Sequence, residues 1–357
     1  MLKISHSEKN TETEAIAKLS ELLNSIPTIE LLKVDRQSQI SNMGVDFIAD
    51  IVVSGKSHTL ICEVKSSGQP RYVQMGLLQL SNYIVRNNQK GVPILIAPYL
   101  SPQAQELCKD NQINYLDFEG NAHLIFDNAL IDRQVATKPA SAQRELRSTF
   151  KPKSAQILKV LLKNPTRSWR VIELAEQANV STGHVSNVRN SLLDKEWAKV
   201  SEEGFFLSKP NDLLDAWHTE YTPPKGERLK FYTTLHGNAF EDAARQTLKE
   251  NLNGLAAFSS FSAANWIAPY GRTNTQYFYA DEIGLERLKL GLNLSPSYKG
   301  ENVVITVLKD TSLLLQAIEP APGAICTDVI QTYLDLHVSG ERGKEAAIHL
   351  REEKLKW

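Results

Sequence analysis

Two adjacent apolar runs near the N-terminus place the strongest constraint on the fold of this chain. Residues 44–68, GVDFIADIVVSGKSHTLICEVKSSG, hold two stretches rich in Val and Ile around the polar, glycine-containing segment SGKS. This pattern is typical of a β-hairpin. Helical segments and further short apolar runs accompany it, in the order αββαβαβ over about residues 10–135. Strands that alternate with helices predict an α/β domain with a central mixed sheet.

Four charged side chains of the predicted hairpin fall on one face. Because side chains alternate along a strand, Glu63 and Lys65 project to the same side of the second strand. Asp46 and Asp50 share a side of the first strand for the same reason. If residues 55–56 form the centre of the turn, Asp46 lies opposite Lys65 and Asp50 lies diagonal to Glu63. The hairpin therefore gathers carboxylates and an amine on one face.

Carboxylates held close together beside a lysine predict a site for a divalent cation, since like charges at close range raise each other's pKa. Mg²⁺ bound by carboxylates, with a lysine that positions water, is the chemistry of phosphodiester hydrolysis. We predict Asp50 and Glu63 as metal ligands, Lys65 as a catalytic residue and Asp46 as an alternative ligand. The competing interpretation is a cross-strand ion pair on an exposed strand, but the apolar residues 61–62 favour a buried strand.

The charge distribution indicates a nucleic-acid-binding module in the middle of the chain. The net charge is only −1, yet residues 151–200 carry nine Lys and Arg against four Asp and Glu, a balance of +5. Three amphipathic segments lie there, followed by two short strand-like runs around Gly204. Three helices and a β-wing of this size predict a winged helix-turn-helix over residues 151–221.

The third helix of this module is predicted to enter the major groove of DNA. Its buried side would be formed by Val185, Val188 and Leu192. The residues predicted to contact DNA are Ser181, Thr182, His184, Ser186, Asn187, Arg189 and Asn190. The lysines predicted to contact phosphates are Lys151, Lys153, Lys195 and Lys199. A winged helix that binds protein or only supports the fold is the alternative interpretation.

The remainder of the chain predicts a third domain, α/β in class, over residues 226–357. Polar segments at residues 136–150 and 222–228 are typical of linkers. Beyond the second of these, the apolar runs TQYFYA, NVVITVL and LLLQAI predict strands, and a helical region closes the chain from about residue 328 to 354.

Composition excludes several classes of protein. The chain is 42% hydrophobic and 23% charged, which excludes a disordered or collagen-like protein. No apolar run in it approaches the ~18 residues that would span a bilayer. Its three cysteines form no Cys-x-x-Cys motif and no Cys/His cluster. We expect a cytoplasmic protein with reduced thiols and no membrane partner.

The N-terminal motifs resemble those of the PD-(D/E)xK nuclease superfamily, whose fold is a restriction-endonuclease-like mixed sheet. Asp50 lies thirteen residues before the Glu-x-Lys motif that begins at Glu63. Gln79 and Tyr83 on the following helix are similar to the QxxxY feature of the RecB-like branch. The resemblance implies a nuclease-like domain over residues 1–135 with Mg²⁺ as its cofactor. It also implies a Glu from the first helix, Glu14 or Glu21.

Other segments resemble the AbiEi-type transcriptional regulators, the antitoxins of type IV toxin-antitoxin systems. They are IAPYLSPQAQELCKDNQINYLDFEGNAHL, LLDAWHTEY and CTDVIQTYLDLHVSGERGKEAAIHL, within about residues 46–350. The resemblance implies a bacterial regulator that binds double-stranded DNA, with homodimerisation and a cognate toxin or defence protein as further partners. It implies a C-terminal fold related to nucleotidyltransferases. That fold is degenerate here, because no Asp-x-Asp follows FSSFSAANW.

The function expected from sequence is therefore sequence-specific DNA binding by a transcriptional regulator, with the nuclease-like domain adding DNA contacts. The alternative is a Mg²⁺-dependent DNA nuclease targeted by the winged helix, in defence against phage or mobile elements. A defence-system scaffold that binds protein is a third interpretation.

Overall fold

The chain forms two compact units in a computed structural model that describes residues 6–36, 44–88, 90–126, 129–135, 138–249, 255–271, 273–297 and 299–357. The first unit comprises Met1–Arg147 and Asn187–Lys199, and the second comprises Ser148–Ser186 and Val200–Trp357. The division falls within one helix, Thr182–Asp194. Among the described residues, none of the helices combines the length and apolar character needed to cross a membrane.

The first unit is built on a sheet in which seven strands of the described chain follow each other in sequence order. They are β1 (Ile29–Arg36), β2 (Phe47–Val53), β3 (Lys56–Val64), β4 (Val92–Ala97), β5 (Asn114–Asp117), β6 (Ala122–Phe126) and β7 (Ala129–Arg133). The central strands β3, β4 and β5 run parallel, and the outer pairs are antiparallel. The predicted mixed sheet is therefore present.

Helices cover both faces of this sheet because its strands alternate apolar side chains to either side. Helix α1 (His6–Asn24) packs Leu19 into the same apolar core as Phe47. The opposite face is covered by α2 (Pro70–Asn87) and α3 (Pro102–Asp110), which pack against Ile61. The residues of β3 that point away from α1 therefore lie under α2.

Several elements of the first unit differ from the sequence prediction. Strand β1 was not predicted; its burial pattern shows little alternation, with exposed residues next to each other. The predicted linker at residues 136–150 contains a helix, α4 (Ala140–Thr149), which is amphipathic but strongly polar. The predicted start of α3 is confirmed, since Ser101 Oγ accepts a hydrogen bond from the Ala104 N–H at 3.2 Å.

The basic middle of the chain contains the predicted succession of helices and strands. It consists of α5 (Pro152–Lys163), α6 (Val171–Gln177), α7 (Thr182–Asp194), β8 (Ala198–Ser201), β9 (Gly204–Leu207) and α8 (Pro210–Glu220). A tight turn joins α6 to α7 through Asn179, whose φ of 51° lies in the left-handed region. Strands β8 and β9 form a two-stranded sheet of their own.

The C-terminal residues form a second mixed sheet with strand order β11-β12-β14-β10-β13. The strands and helices of this part of the chain are β10 (Gly226–Tyr232), α9 (Gly237–Lys249), β11 (Ala256–Phe258), α10 (Ser260–Ile267), β12 (Gln276–Ala280), α11 (Glu282–Gly291), β13 (Ser295–Pro296), β14 (Val303–Leu308), α12 (Val329–His337) and α13 (Gly340–Lys354). Two predictions are wrong here. Residues 226–228 begin a strand rather than a linker, and LLLQAI lies largely in a 3₁₀ helix, Ser312–Gln316.

Candidate functional site

The turn of the β2–β3 hairpin decides which carboxylates meet. Its central residues are Ser54 and Gly55, with φ of 49° and 83°, which is the backbone of a type I′ turn. Val53 therefore pairs with Lys56, and Phe47 pairs with Cys62. The sequence prediction centred the turn on residues 55–56, one residue too late. Each residue of β2 therefore faces a residue of β3 two positions earlier than predicted. Each side chain keeps its face of the sheet but changes its neighbour.

Asp46 is the carboxylate that this register brings to Glu63. The Asp46 N–H donates to the Cys62 carbonyl at 3.1 Å, which continues the ladder one residue beyond β2. One of its carboxylate oxygens, Oδ2, accepts a hydrogen bond from the Val64 N–H at 2.7 Å. Continued by one residue, the register places Asp46 opposite Glu63, and the charge of Asp46 contributes to the raised pKa of Glu63.

Asp50 lies elsewhere on the same face. It pairs with Thr59, whose Oγ1 donates to Asp50 Oδ1 at 2.8 Å. It lies four positions along the extended chain from Asp46, a distance of about 13 Å. The structure therefore does not bring Asp50 to Glu63, and Asp46 takes the position that the sequence prediction gave to Asp50.

Glu63 is a buried carboxyl group with one unpaired oxygen. The residue is 3% exposed, and among the described residues its Oε2 has no hydrogen-bond partner. Burial, reinforced by Asp46 and opposed by Lys65, raises the pKa of Glu63 to about 7. A carboxylate oxygen in this situation either carries a proton or binds a cation.

Lys65 and Gln79 complete the cluster. Lys65 Nζ donates to Glu63 Oε1 at 2.7 Å and also donates to Gln79 Oε1. Its side chain is 15% exposed, so the amine lies at the edge of the protein interior. Tyr83, one turn beyond Gln79 on α2, packs its partly buried ring against the apolar core beneath α2. We name Asp46, Glu63, Lys65 and Gln79 the hairpin cluster.

The weaker candidates on α1 lie apart from this cluster. Glu14 and Glu21 are exposed on the helix that packs against the Phe47 side of the sheet. Glu21 forms an ion pair with Lys18 on the same helix, with 3.3 Å between Nζ and Oε2. The hairpin cluster lies on the α2 side of the sheet, where Lys65 meets Gln79.

The donor set of the hairpin cluster fits a hard divalent cation. Glu63 Oε2 has no partner and Asp46 stands beside it. Among the described residues, no group of three or more His, Cys, Asp or Glu side chains could hold a metal ion. Two carboxylates suit Mg²⁺, which keeps several waters and is bound through one or two carboxylates and a substrate phosphate.

Helix α7 carries an exposed polar face at its N-terminal end. Ser181 Oγ accepts the His184 N–H at 3.3 Å, as expected of a cap. Thr182, Asn187 and Asn190 are exposed, and Val185, Val188 and Leu192 are buried, as predicted. The basic residues exposed along this part of the chain include Lys151, Lys153 and Lys199.

Four of the side chains predicted to contact DNA are engaged within the protein. His184 is half-buried, with Nε2 at 3.2 Å from Ser154 Oγ on α5. Ser186 Oγ donates to the Thr182 carbonyl at 3.0 Å. Lys195 is 6% exposed, which leaves its amine little access to a phosphate. Arg189 is half-buried and has an interaction within the protein.

A second buried polar cluster, not predicted from the sequence, lies in the C-terminal part. Asp335 on α12 accepts hydrogen bonds through Oδ1 from the hydroxyls of Tyr221 and Tyr279 and from Gln331 Nε2. Its Oδ2 has no partner among the described residues. Burial raises the pKa of Asp335 to about 6, although all three donors oppose the shift. The available signal was a Gln and an Asp four residues apart on a helix that also carries Ile330, Leu334 and Leu336.

Comparison with protein families gives a match over the C-terminal part of the chain. Residues 207–356 match the model of the family described as transcriptional regulator, AbiEi antitoxin, type IV toxin-antitoxin system. The match confirms the resemblance noted in the sequence for the part of the chain from the end of β9 through α13. Comparisons with curated proteins and with solved structures give no match.

Proposed function

We propose that this protein is a DNA-binding transcriptional regulator of the AbiEi antitoxin type. The observation that carries the proposal is the family match over residues 207–356. The exposed polar face of α7, within the basic residues 151–200, supports it. The family implies duplex DNA and a cognate toxin as the partners.

In this proposal the segment from α5 to β9 is a winged helix that places the start of α7 in the major groove. Asn187 and Asn190 are exposed and carry amides that pair bidentately with an adenine edge. Lys151, Lys153 and Lys199 would contact phosphates, which fixes the position of the protein without reading sequence.

Fluorescence anisotropy on the DNA upstream of its own gene tests this function. We expect salt-sensitive binding that is tighter than to random duplex. The N187A/N190A variant should lose that preference, whereas K151A/K153A should weaken binding to both duplexes. The charge-matched control K354A/K356A removes two exposed lysines outside this segment and should bind normally. Equal binding to both duplexes by the unmodified protein would contradict the proposal.

A second function, metal-dependent hydrolysis of DNA, is favoured by the hairpin cluster. We propose that Asp46 and Glu63 Oε2 hold Mg²⁺, which supplies a bound water of lowered pKa and neutralises charge on the phosphate. Lys65 uses two of its three N–H donors on Glu63 and Gln79. The third would donate to water or to a phosphate oxygen. The domain would then be nuclease-like, as the PD-(D/E)xK resemblance implies.

Incubation with linear, circular and single-stranded DNA in Mg²⁺ or Mn²⁺ tests the second function. Cleavage should disappear in D46N and in E63A. It should persist in D50N, the matched control, because Asp50 bonds to Thr59 outside the cluster. Intact DNA in all three substrates would eliminate hydrolysis while leaving the regulatory function standing. Equal loss in D46N and D50N would contradict the register of the hairpin as the basis of the site.

A further inference from the structure

The side chain of Lys65 passes directly against α2 at Gly76. A methyl group at position 76 would lie 3.0 Å from Lys65 Cε and 3.4 Å from Lys65 Cγ. It would lie 2.4 Å from Leu95 Cδ1 on β4, closer than such carbons approach in proteins. The missing side chain of Gly76 therefore leaves the space through which the aliphatic part of Lys65 runs.

The backbone gives no reason for a glycine at this position. Gly76 lies inside α2, and its φ is outside the left-handed region. Glycine in the interior of a helix is destabilising relative to alanine, because it loses more conformational freedom on folding. The contacts with Lys65 and Leu95 are the features of the structure that require it.

The amine of Lys65 depends on this path. From Gly76 the side chain continues to Nζ, which donates to Glu63 and to Gln79, one turn further along the same helix. A Cβ at position 76 would push Cε away from the helix and so would move Nζ relative to Gln79. We propose that Gly76 is a positioning residue for Lys65. The inference rests on the second proposed function, since it concerns the lysine of the hairpin cluster.

Two clashes must be separated to test the inference. Gly76→Ala introduces both the contact with Leu95 and the contact with Lys65. Leu95→Val shortens the Leu95 side chain and relieves the first contact only. The variants are therefore G76A, the double variant G76A/L95V, and L95V as the matched control for changes in the core. Circular dichroism establishes that each of them is folded.

The first readout does not depend on catalysis. The full-length protein is treated with a small amine-acylating reagent without metal, and modification of Lys65 is followed by mass spectrometry. We expect Lys65 to react several-fold faster in G76A and in G76A/L95V than in the unmodified protein or in L95V, because displacement of its side chain weakens the hydrogen bonds from its amine to Glu63 and Gln79. Should the double variant react at the unmodified rate, Gly76 would serve only the packing of Leu95, and the inference would be overturned.

The second readout is the cleavage rate with Mg²⁺. Misplacement of a catalytic group by about 1 Å costs on the order of 10²-fold in rate. The contact at 3.0 Å displaces Lys65 Cε by only a few tenths of an ångström, so we expect kcat of G76A/L95V to fall by less than that factor, by several-fold, with KM nearly unchanged. An unchanged kcat would overturn the inference. If the unmodified protein cleaves no DNA, hydrolysis fails as a function, and the acylation rates alone decide whether Gly76 positions Lys65.

Discussion

At the scale of single residues, the most informative group is the Glu63 carboxyl. It is buried, one of its oxygens has no partner, and Asp46 adds a second negative charge beside it. These conditions favour the protonated form of Glu63 in the metal-free protein below about pH 7. Under the second proposed function, binding of a metal to the cluster would therefore release a proton.

The first prediction is that affinity for Mg²⁺ depends on pH through Glu63. Since the pKa of Glu63 is raised to about 7, its carboxyl group is protonated below that pH and must lose this proton to bind metal. The affinity should rise as pH increases toward 7 and should level off above it. Isothermal titration with Mg²⁺ between pH 5.5 and 8.5 measures this, with D50N as control. An affinity that does not change over that pH range would contradict the assignment of Glu63 as a metal ligand.

The second prediction concerns the stability of the metal-free protein. The folded chain keeps a proton on Glu63 that the unfolded chain releases above its ordinary pKa of 4.5. Stability should therefore decrease as pH rises from 4.5 to 7, by about 3 kcal/mol from this group. Urea unfolding of the unmodified protein and of E63Q checks it: the variant should lose this part of the pH dependence. A decrease of equal size in both proteins would rule out Glu63 as its source.

The third prediction is that Asp335 also makes the stability of the folded protein decrease as pH rises, but in a lower range of pH. Its pKa is raised from 3.8 to about 6, so its deprotonation should reduce stability between these values, by up to about 3 kcal/mol. In D335N the amide oxygen still accepts the three hydrogen bonds of Oδ1. We expect D335N to show a flatter pH profile than the unmodified protein in thermal unfolding between pH 4 and 6. An unchanged slope would contradict this.

The residues of the candidate site could be predicted, but their pairing could not. Glu63, Lys65 and the two aspartates followed from spacing and alternation, whereas Gln79 was implied by the resemblance to the RecB-like nucleases. Which aspartate meets Glu63 depends on whether the turn is centred on residues 54–55 or 55–56. Both choices include Gly55, and Ser54 is a residue type that seldom adopts positive φ. Local composition therefore leaves the two registers nearly equivalent, and the pairing of whole strands decides between them.

At the scale of elements, α12 is a helix that is largely buried within the second unit. Seven consecutive residues, 330–336, are buried, including polar side chains such as Gln331 and Asp335. Asp328 precedes the helix and has two roles. Its Oδ1 accepts the Gln331 N–H at 3.0 Å, and its Oδ2 accepts Lys159 Nζ from α5 at 2.8 Å. One carboxylate thus caps α12 and joins it to the first helix of the basic segment.

The fourth prediction compares the two partners of this ion pair. Lys159 is 7% exposed, so D328A leaves a buried charge without its partner and also removes a helix cap. A loss of about 3–5 kcal/mol is expected for breaking such a pair from one side. K159M should cost less, because Asp328 keeps its cap and has access to water. Urea unfolding of both variants and of the double variant measures this, and equal losses in the two single variants would contradict it.

Element types were predicted well where an apolar period was long, and poorly elsewhere. The amphipathic segments that became α2, α5 and α7 are of this kind. Strand β1 was missed because it alternates poorly, and LLLQAI was misassigned because a short apolar run does not distinguish a strand from a tight helix. In that segment, Ile318 alone bridges to Cys326.

At the scale of the whole molecule, the two proposed functions use different parts of the chain. Sequence-specific binding depends on the face of α7, whereas hydrolysis depends on the hairpin cluster in the first unit. The fifth prediction is that substitutions can remove one of the two functions and leave the other intact. D46N/E63Q should abolish cleavage and keep the preference for the upstream DNA, and N187A/N190A should lose the preference and still cleave.

Paired binding and cleavage assays on these two double variants check the separation. If the change in one group of residues abolished both activities in folded protein, the two functions would have to share one site. The two parts of the chain could be predicted from the sequence, one from the charge balance and the other from the Glu-x-Lys motif, because each is a local property of a short segment.

The type I′ turn at Ser54 and Gly55 carries a consequence for how such a sheet changes during evolution. Moving the turn by one residue slides β2 past β3 by two positions, so every apolar side chain still reaches its own layer. The slide would keep each side chain on its own face of the sheet, while the acid beside Glu63 would be exchanged for another residue. A loop of two residues thus determines which side chain lies beside Glu63.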